Sequence, residues 1–170
     1  MIKLIIADVD GVLTDGALIL GDSGEEFKVF HVRDGLGISL AISAGIQVAF
    51  LSGRYSQAVA NRAKDLRVED VHQGVSNKLA AYESLLKKYS LDDKEVCYIG
   101  DDLSDIPPLK RAGAAFAVAD AAEEVKKVAK RVTKRRGGQG AVREVVEFLL
   151  RSAGLWEQAV GKVGTERSEA

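Results

Sequence analysis

The sequence predicts an α/β protein: a doubly wound parallel sheet with helices on both faces and a β-hairpin projecting after the first strand. Three observations carry this expectation. Short apolar runs bounded by turn or charged residues alternate with segments of helical periodicity, the pattern of strand–helix–strand units in a parallel sheet. The chain has 170 residues, 46% of them hydrophobic, enough for one domain with a substantial core and too few for two ordinary ones. The polar residues that stand out each follow an apolar run. In such a sheet this gathers them at the carboxyl edge, where ligands bind.

The elements follow in order. KLIIAD (3–8) is the first predicted strand, and QVAFLS (47–52), VEDVH (68–72), EVCYIG (95–100), AAFAVA (114–119) and RVTK (131–134) are the others of the sheet. DGLGISLAISAG (34–45) reads as a helix capped by Asp34 and closed at Gly45. In SQAVANRAKDL (56–66), Val59, Ala63 and Leu66 share a helix face. In NKLAAYESLLKKY (77–89), Leu79, Tyr82, Leu85, Leu86 and Tyr89 do the same. DAAEEVKKVAK (120–130) is a shorter helix. One segment breaks the alternation: two extended runs flank GDSGEE, which predicts a hairpin from about 17 to 32. Residues 1–158 read as a single domain. Residues 159–170 read as a flexible tail, because GKVGTERSEA is polar and aperiodic.

Composition narrows the function classes. A formal net charge of −1 gives no overall pull toward nucleic acid or anionic membrane. The basic run at 126–136 lacks interleaved aromatics, so no nucleic-acid partner is expected. The longest apolar runs are too short to span a bilayer, and the first ten residues lack the features of a signal peptide, so no membrane association is expected. The one cysteine, Cys97, excludes an internal disulfide, sits in an apolar run where burial is expected, and points to a reducing cytoplasm.

Four clusters carry the chemistry. In DVDGVLTDG, Asp8 ends the first strand and Asp10 lies in the following turn, with Thr14 and Asp15 suited to ordering that turn. Two carboxylates so close repel unless a hard divalent cation neutralises them, and magnesium prefers such oxygen ligands. LSGR (51–54) puts Ser52 and the Gly53 N–H between a strand and a helix, an arrangement suited to phosphate. Lys78 stands at a helix start, where the dipole does not favour a cation but a phosphate would. In YIGDDLSD (98–105), Asp101 and Asp102 would complete an oxygen-rich metal site, with Asp105 supporting.

DVDGVLTDG, LSGR, Lys78 and GDDLSD resemble, in order and placement, the four motifs of the haloacid dehalogenase superfamily of phosphohydrolases. The resemblance extends over nearly the whole chain, through GEEFKVFHVRDGLGI, RAKDL, GDDLSDIPPLKRAG and GGQGAVREVVEFLL, to the branch acting on 3-deoxy-D-manno-octulosonate 8-phosphate in lipopolysaccharide sugar synthesis. It implies a Rossmann-like fold and Mg2+-dependent hydrolysis through an aspartyl-phosphate. Asp8 would be the nucleophile and Asp10 the general acid and base. The metal would be held by the Asp8 carboxylate, the Asp10 carbonyl and Asp101. Ser52, Gly53 and Lys78 would bind the phosphoryl oxygens, and Asp102 and Asp105 would position Lys78 or metal-bound waters. A phosphatase of a nine-carbon sugar-acid 9-phosphate is the alternative within the same scaffold, and a receiver-like signalling module is the alternative of another class.

The sugar acid's carboxylate needs a cation. Arg54 is the first candidate because guanidinium binds carboxylate in a fork, with Arg33 and Arg62 behind it. No insertion is long enough for a large cap domain. The resemblance implies a homotetramer built through the hairpin, whose Leu18, Ile19, Leu20, Phe27, Val29 and Phe30 suit an interface. It also implies that the glycine-rich segment 137–140 reaches an active site.

Overall fold

The computed structural model describes residues 1–163. The order of elements is β1 (Leu4–Asp8), β2 (Ile19–Leu20), β3 (Glu26–Phe27), α1 (Val32–Ser43), β4 (Gln47–Leu51), α2 (Gln57–Asp65), β5 (Asp70–His72), α3 (Lys78–Tyr89), β6 (Val96–Gly100), α4 (Ile106–Arg111), β7 (Ala114–Ala117), α5 (Glu123–Val128), β8 (Arg131–Val132), α6 (Ala141–Ser152) and α7 (Trp156–Gly161). Six strands form one parallel sheet in the order β5-β4-β1-β6-β7-β8, and β2 and β3 form the separate hairpin.

Every residue of β1 and β6 is buried. This explains why both read as continuous apolar runs rather than alternating ones: helices cover both faces. From β1 the chain winds outward to β4 and β5, then crosses back to β6 and winds outward through β7 and β8. Right-handed crossovers therefore put α1 and α2 on one face and α4 and α5 on the other. α6 returns to pack on α1, and α7 on both. The reversal between β1 and β6 leaves a crevice at their carboxyl ends, the place where such sheets bind ligands. Asp8 closes one of these strands and Asp101 follows the other.

Several boundaries differ from the sequence expectation. α1 begins at Val32, because His31 Nδ1 accepts from the Arg33 N–H and serves as the cap. Asp34 is not a cap of its own helix. It is buried in the first turn and accepts hydrogen bonds from the backbone N–H groups of Gly140 (3.1 Å) and Arg143 (2.8 Å), so it caps α6 instead. α4 is absent from the elements expected above, and it carries Pro107 and Pro108. Both lie in its first turn, where no intrahelical N–H is needed. The hairpin is shorter than 17–32: Ile19 pairs with Phe27 and Leu20 with Glu26. Of the tail expected at 159–170, residues 159–161 end α7, and the part from 164 lies outside the described residues. Cys97 is fully buried, and burial pushes its thiol far above the usual range. No helix among the described residues is long and apolar enough to cross a membrane.

Candidate active site

Beyond Asp8 the chain closes into a tight turn in which the N–H groups of Val12, Leu13 and Thr14 all donate to the Val9 carbonyl. Buried Thr14 orders this turn as the sequence suggested: its hydroxyl accepts from the N–H groups of Gly11 (3.4 Å) and Gly16 (3.1 Å). Gly11 has φ +87°, and a Cβ there would lie 2.0 Å from Asp101 Oδ2. Glycine at this position therefore both permits the turn and lets the two acidic loops meet. Asp15 accepts from the Ala17 N–H, which leads the chain into the hairpin.

Asp8 is buried, with Oδ1 accepting from the Val9 N–H at 2.7 Å and Oδ2 2.9 Å from the Lys78 ammonium. Lys78 is buried too. Its Nζ also donates to Asp105 Oδ1 at 2.7 Å, as does the Tyr98 hydroxyl. Asp105 Oδ2 takes the N–H groups of Asp101 (3.0 Å) and Asp102 (3.2 Å). Asp105 is thus fully committed to orienting Lys78 and the loop after β6. Asp102 is exposed and caps the following 3-10 turn through the Leu103 N–H, so of the two expected supporting acids it is Asp105 that touches Lys78.

Carboxylate oxygens of Asp8, Asp101 and Asp105 lie within 4.8 Å of one another. Burial first, and then the Asp8 and Asp105 charges, push Asp101 up to about 8; burial and Asp105 push Asp8 up to about 6. Burial alone would lower Lys78, but Asp8 and Asp105 more than offset it and hold its pKa above the ordinary value. One ammonium against three carboxylates leaves negative charge uncompensated. Asp101 Oδ1 is buried and has no hydrogen-bond partner among the described residues. An all-oxygen donor set with an orphaned carboxylate oxygen fits a hard divalent cation. Asp105's commitments leave Asp8 and Asp101 as the carboxylates that could hold it.

Ser52 lies one residue beyond Leu51, which pairs with Asp8 across β1 and β4. It is buried, and its hydroxyl accepts from the Arg54 N–H at 3.2 Å, closing the loop that contains Gly53. The three arginines separate. Arg54 is exposed beside this loop and paired with Glu26 of the hairpin at 2.8 Å. Arg62 lies over the Phe30 ring, 6.0 Å from its centroid. Arg33 lines a separate open groove of about 650 Å³ with Leu36, Lys134 and Arg143.

One contact escaped the sequence reading. Asp10 is not free in its turn: the Lys28 ammonium reaches back from the hairpin to its Oδ1. Strand alternation, which puts Glu26 and Lys28 on one side and Phe27 and Val29 on the other, was the available signal. Phe30, counted among the apolar interface residues, packs partly buried on the parent core instead, while Leu18, Ile19, Leu20, Phe27 and Val29 are exposed. The glycine-rich segment meets the acidic loop of its own chain. The Gly138 N–H donates to the Val12 carbonyl at 2.9 Å, and the Gly137 N–H to Asp120 at 2.9 Å.

The model of the haloacid dehalogenase-like hydrolase family matches residues 67–145. The 3-deoxy-D-manno-octulosonate 8-phosphate phosphatase KdsC of Escherichia coli K12 is 45% identical over 161 residues, 95% of this chain and 86% of that one. The structure of the same-named phosphatase from Moraxella catarrhalis, in complex with magnesium ion, phosphate ion and KDO, is 38% identical. It superposes with a TM-score of 0.92 over 95% of this chain and 92% of that one. The cobalt-bound phosphatase from Haemophilus influenzae is 44% identical, with a TM-score of 0.87 over 90% of each chain.

Proposed function

The chain belongs to the 3-deoxy-D-manno-octulosonate 8-phosphate phosphatase family of the haloacid dehalogenase-like hydrolases, and from that premise we propose that it removes phosphate from that sugar acid through an aspartyl-phosphate on Asp8. The observation that carries the reading is a buried carboxylate at the switch point, held 2.9 Å from a buried ammonium, with a second acid two residues on.

In the first step an Asp8 oxygen attacks phosphorus, the bond to the sugar oxygen breaks, and Asp10 gives that oxygen its proton. In the second, water attacks phosphorus and gives a proton to the Asp10 carboxylate, and the Asp8–phosphorus bond breaks to release inorganic phosphate. The Ser52 hydroxyl, the Gly53 N–H and Lys78 take the phosphoryl oxygens on which charge develops. The Asp8 and Asp101 carboxylates and the Asp10 carbonyl would hold magnesium, which would supply charge neutralisation there. Asp105 keeps Lys78 pointed at the site. Arg54, the residue that follows Gly53 in the phosphate loop, is the candidate for the substrate carboxylate.

A screen of phosphorylated sugar acids with magnesium tests the reading. Fastest phosphate release is expected from the eight-carbon 8-phosphate. Preference for a nine-carbon 9-phosphate would overturn the substrate, and absence of steady turnover the hydrolase.

Metal and pH should be linked. Asp8 and Asp101 have folded pKa values of about 6 and about 8, above the usual carboxylate range of a denatured chain. The folded state thus binds more protons, and cation-free stability falls as pH rises from about 4 to about 8. Magnesium should raise the melting temperature more at pH 8 than at pH 5, read by thermal melts with and without the ion. An equal rise at both pH values would break the link.

The glycine segment gives a third expectation. A Cβ at Gly137 would lie 1.7 Å from the Gly11 carbonyl oxygen, so Gly137→Ala must shift the backbone that carries Asp10. A displacement of about 1 Å at a reacting group lowers turnover by about 100-fold. Steady-state phosphate release checks this, and unaltered kcat would show that the loop tolerates the shift.

Exposed Leu18, Leu20, Phe27 and Val29 support a homotetramer assembled through hairpins, because so much apolar surface on one short element favours association. A stable monomer in sedimentation at micromolar concentration would overturn it. The lone buried thiol of Cys97 supports a cytoplasmic setting.

A further inference from the structure

The hairpin is largely exposed, yet it buries one cation. The Lys28 side chain is 1% exposed, whereas its neighbours Phe27 and Val29 are 57% and 65% exposed. Burying an ammonium is costly unless it is paired, and Lys28 has two acidic partners: Asp10 Oδ1 at 2.5 Å and Glu26 Oε1 at 2.9 Å. Glu26 Oε2 is in turn 2.8 Å from the Arg54 guanidinium. One line of charges, Asp10–Lys28–Glu26–Arg54, therefore ties the acidic loop to the hairpin and the hairpin to the loop after β4.

Among the described residues, Lys28 is the hydrogen-bond partner of the Asp10 carboxylate. It engages Oδ1 and leaves Oδ2 for another partner. A short side chain at the tip of a turn has several staggered orientations open to it, and this contact selects one.

We propose that Lys28 is a positioning residue for proton transfer. It holds Asp10 so that the second oxygen faces the leaving oxygen of the substrate, and Glu26, clamped by Arg54, holds Lys28. This rests on the reading of Asp10 as the general acid. It differs from a purely structural anchoring of the hairpin because it predicts a dependence on the leaving group: a sugar alkoxide needs a proton as it departs, whereas nitrophenolate does not.

The test uses the full-length, magnesium-loaded enzyme in single-turnover experiments that follow release of the alcohol. Lys28→Met keeps the apolar stem and removes the charge. It should slow release of the sugar acid from its 8-phosphate by about 10–100-fold, leave KM within about threefold, and leave nitrophenolate release from p-nitrophenyl phosphate within about threefold. Lys28→Arg should recover part of the sugar-phosphate rate. Equal slowing on both substrates, or no slowing, would overturn the proposal. Should Lys28→Met not fold, Glu26→Gln keeps the ammonium and loosens its hold, and should show the same leaving-group pattern in smaller measure; equal slowing there overturns it too.

Asp10→Asn separates the two levels. If that variant shows the leaving-group pattern and Lys28→Met does not, the role of Lys28 falls and the acid stands. If Asp10→Asn slows both substrates alike, the acid assignment falls and takes Lys28 with it. Should the wild type reject every sugar-acid phosphate, the best alkyl phosphate it accepts replaces the sugar in the same comparison.

Discussion

Asp8→Asn should abolish turnover while leaving the fold at least as stable as the wild type. The amide has nearly the shape of the carboxylate and cannot form the acyl-phosphate, so the two-step route closes. Loss of a nucleophile in a concerted site is worth at least about four orders of magnitude in kcat. The structural contacts largely survive. The Asn carbonyl can still accept from the Val9 N–H as Asp8 Oδ1 does at 2.7 Å. The ion pair with Lys78 is lost, but Lys78 keeps Asp105 at 2.7 Å. Burial and then repulsion from Asp105, which together push Asp8 up to about 6, are relieved by a neutral group. At pH 8 without metal the melting temperature should be unchanged or higher. Phosphate release and thermal melts on the same preparation check both halves. Residual activity above about one hundredth of the wild type would exclude Asp8 as nucleophile.

The parts of this site that were legible in the sequence are those whose geometry follows from topology. Asp8, Ser52 and Asp101 each lie at or just beyond the end of an apolar run. A parallel sheet brings such ends together whatever the intervening helices do, so reading the strands sufficed to place the residues. Asp34 was misread because capping was judged locally. His31 takes that role, and the partners of Asp34 lie more than a hundred residues away, at Gly140 and Arg143. No local rule connects those positions. Lys28 was missed for the opposite reason. The alternation that buries it was present in EEFKVF, but the segment was weighed for its apolar face, Phe27 and Val29, rather than for the side turned toward Asp10. The glycines at 137 and 138 announced a close approach but not its object. That object, the Gly11–Thr14 turn of the same chain, depends on how α6 packs against α1.

Lys78→Met should weaken the protein and its catalysis together, with a pH signature that separates charge from packing. The Lys78 side chain is 5% exposed, and its partners Asp8 and Asp105 are 8% and 0% exposed, so solvent screens the cluster little. Removing one partner of a buried pair typically destabilises by about 3–5 kcal/mol, because the remaining charges are left buried and unpaired. For a domain of this length that corresponds to a fall in melting temperature of about 6–20 °C. The fall should be greatest at pH 8 without magnesium. Lys78 is the charge that holds the pKa of Asp8 and Asp101 down against burial and mutual repulsion. Without it both carboxyls take up protons at higher pH, and the folded state depends more strongly on binding them. Stability lost at pH 8 should therefore be partly regained at pH 5, where Asp8 and Asp101 are protonated, and also with saturating magnesium, which replaces the missing positive charge. Catalysis should not return with the metal: the ammonium that meets the transferring phosphoryl group is gone, and kcat should stay about 100–1000-fold down. Thermal melts at the two pH values, with and without magnesium, alongside phosphate release, give the full comparison. An equal fall at pH 5 and pH 8 would mean that Lys78 supports the fold through its packed stem rather than its charge. A variant that recovers full turnover with magnesium would remove Lys78 from the phosphoryl site.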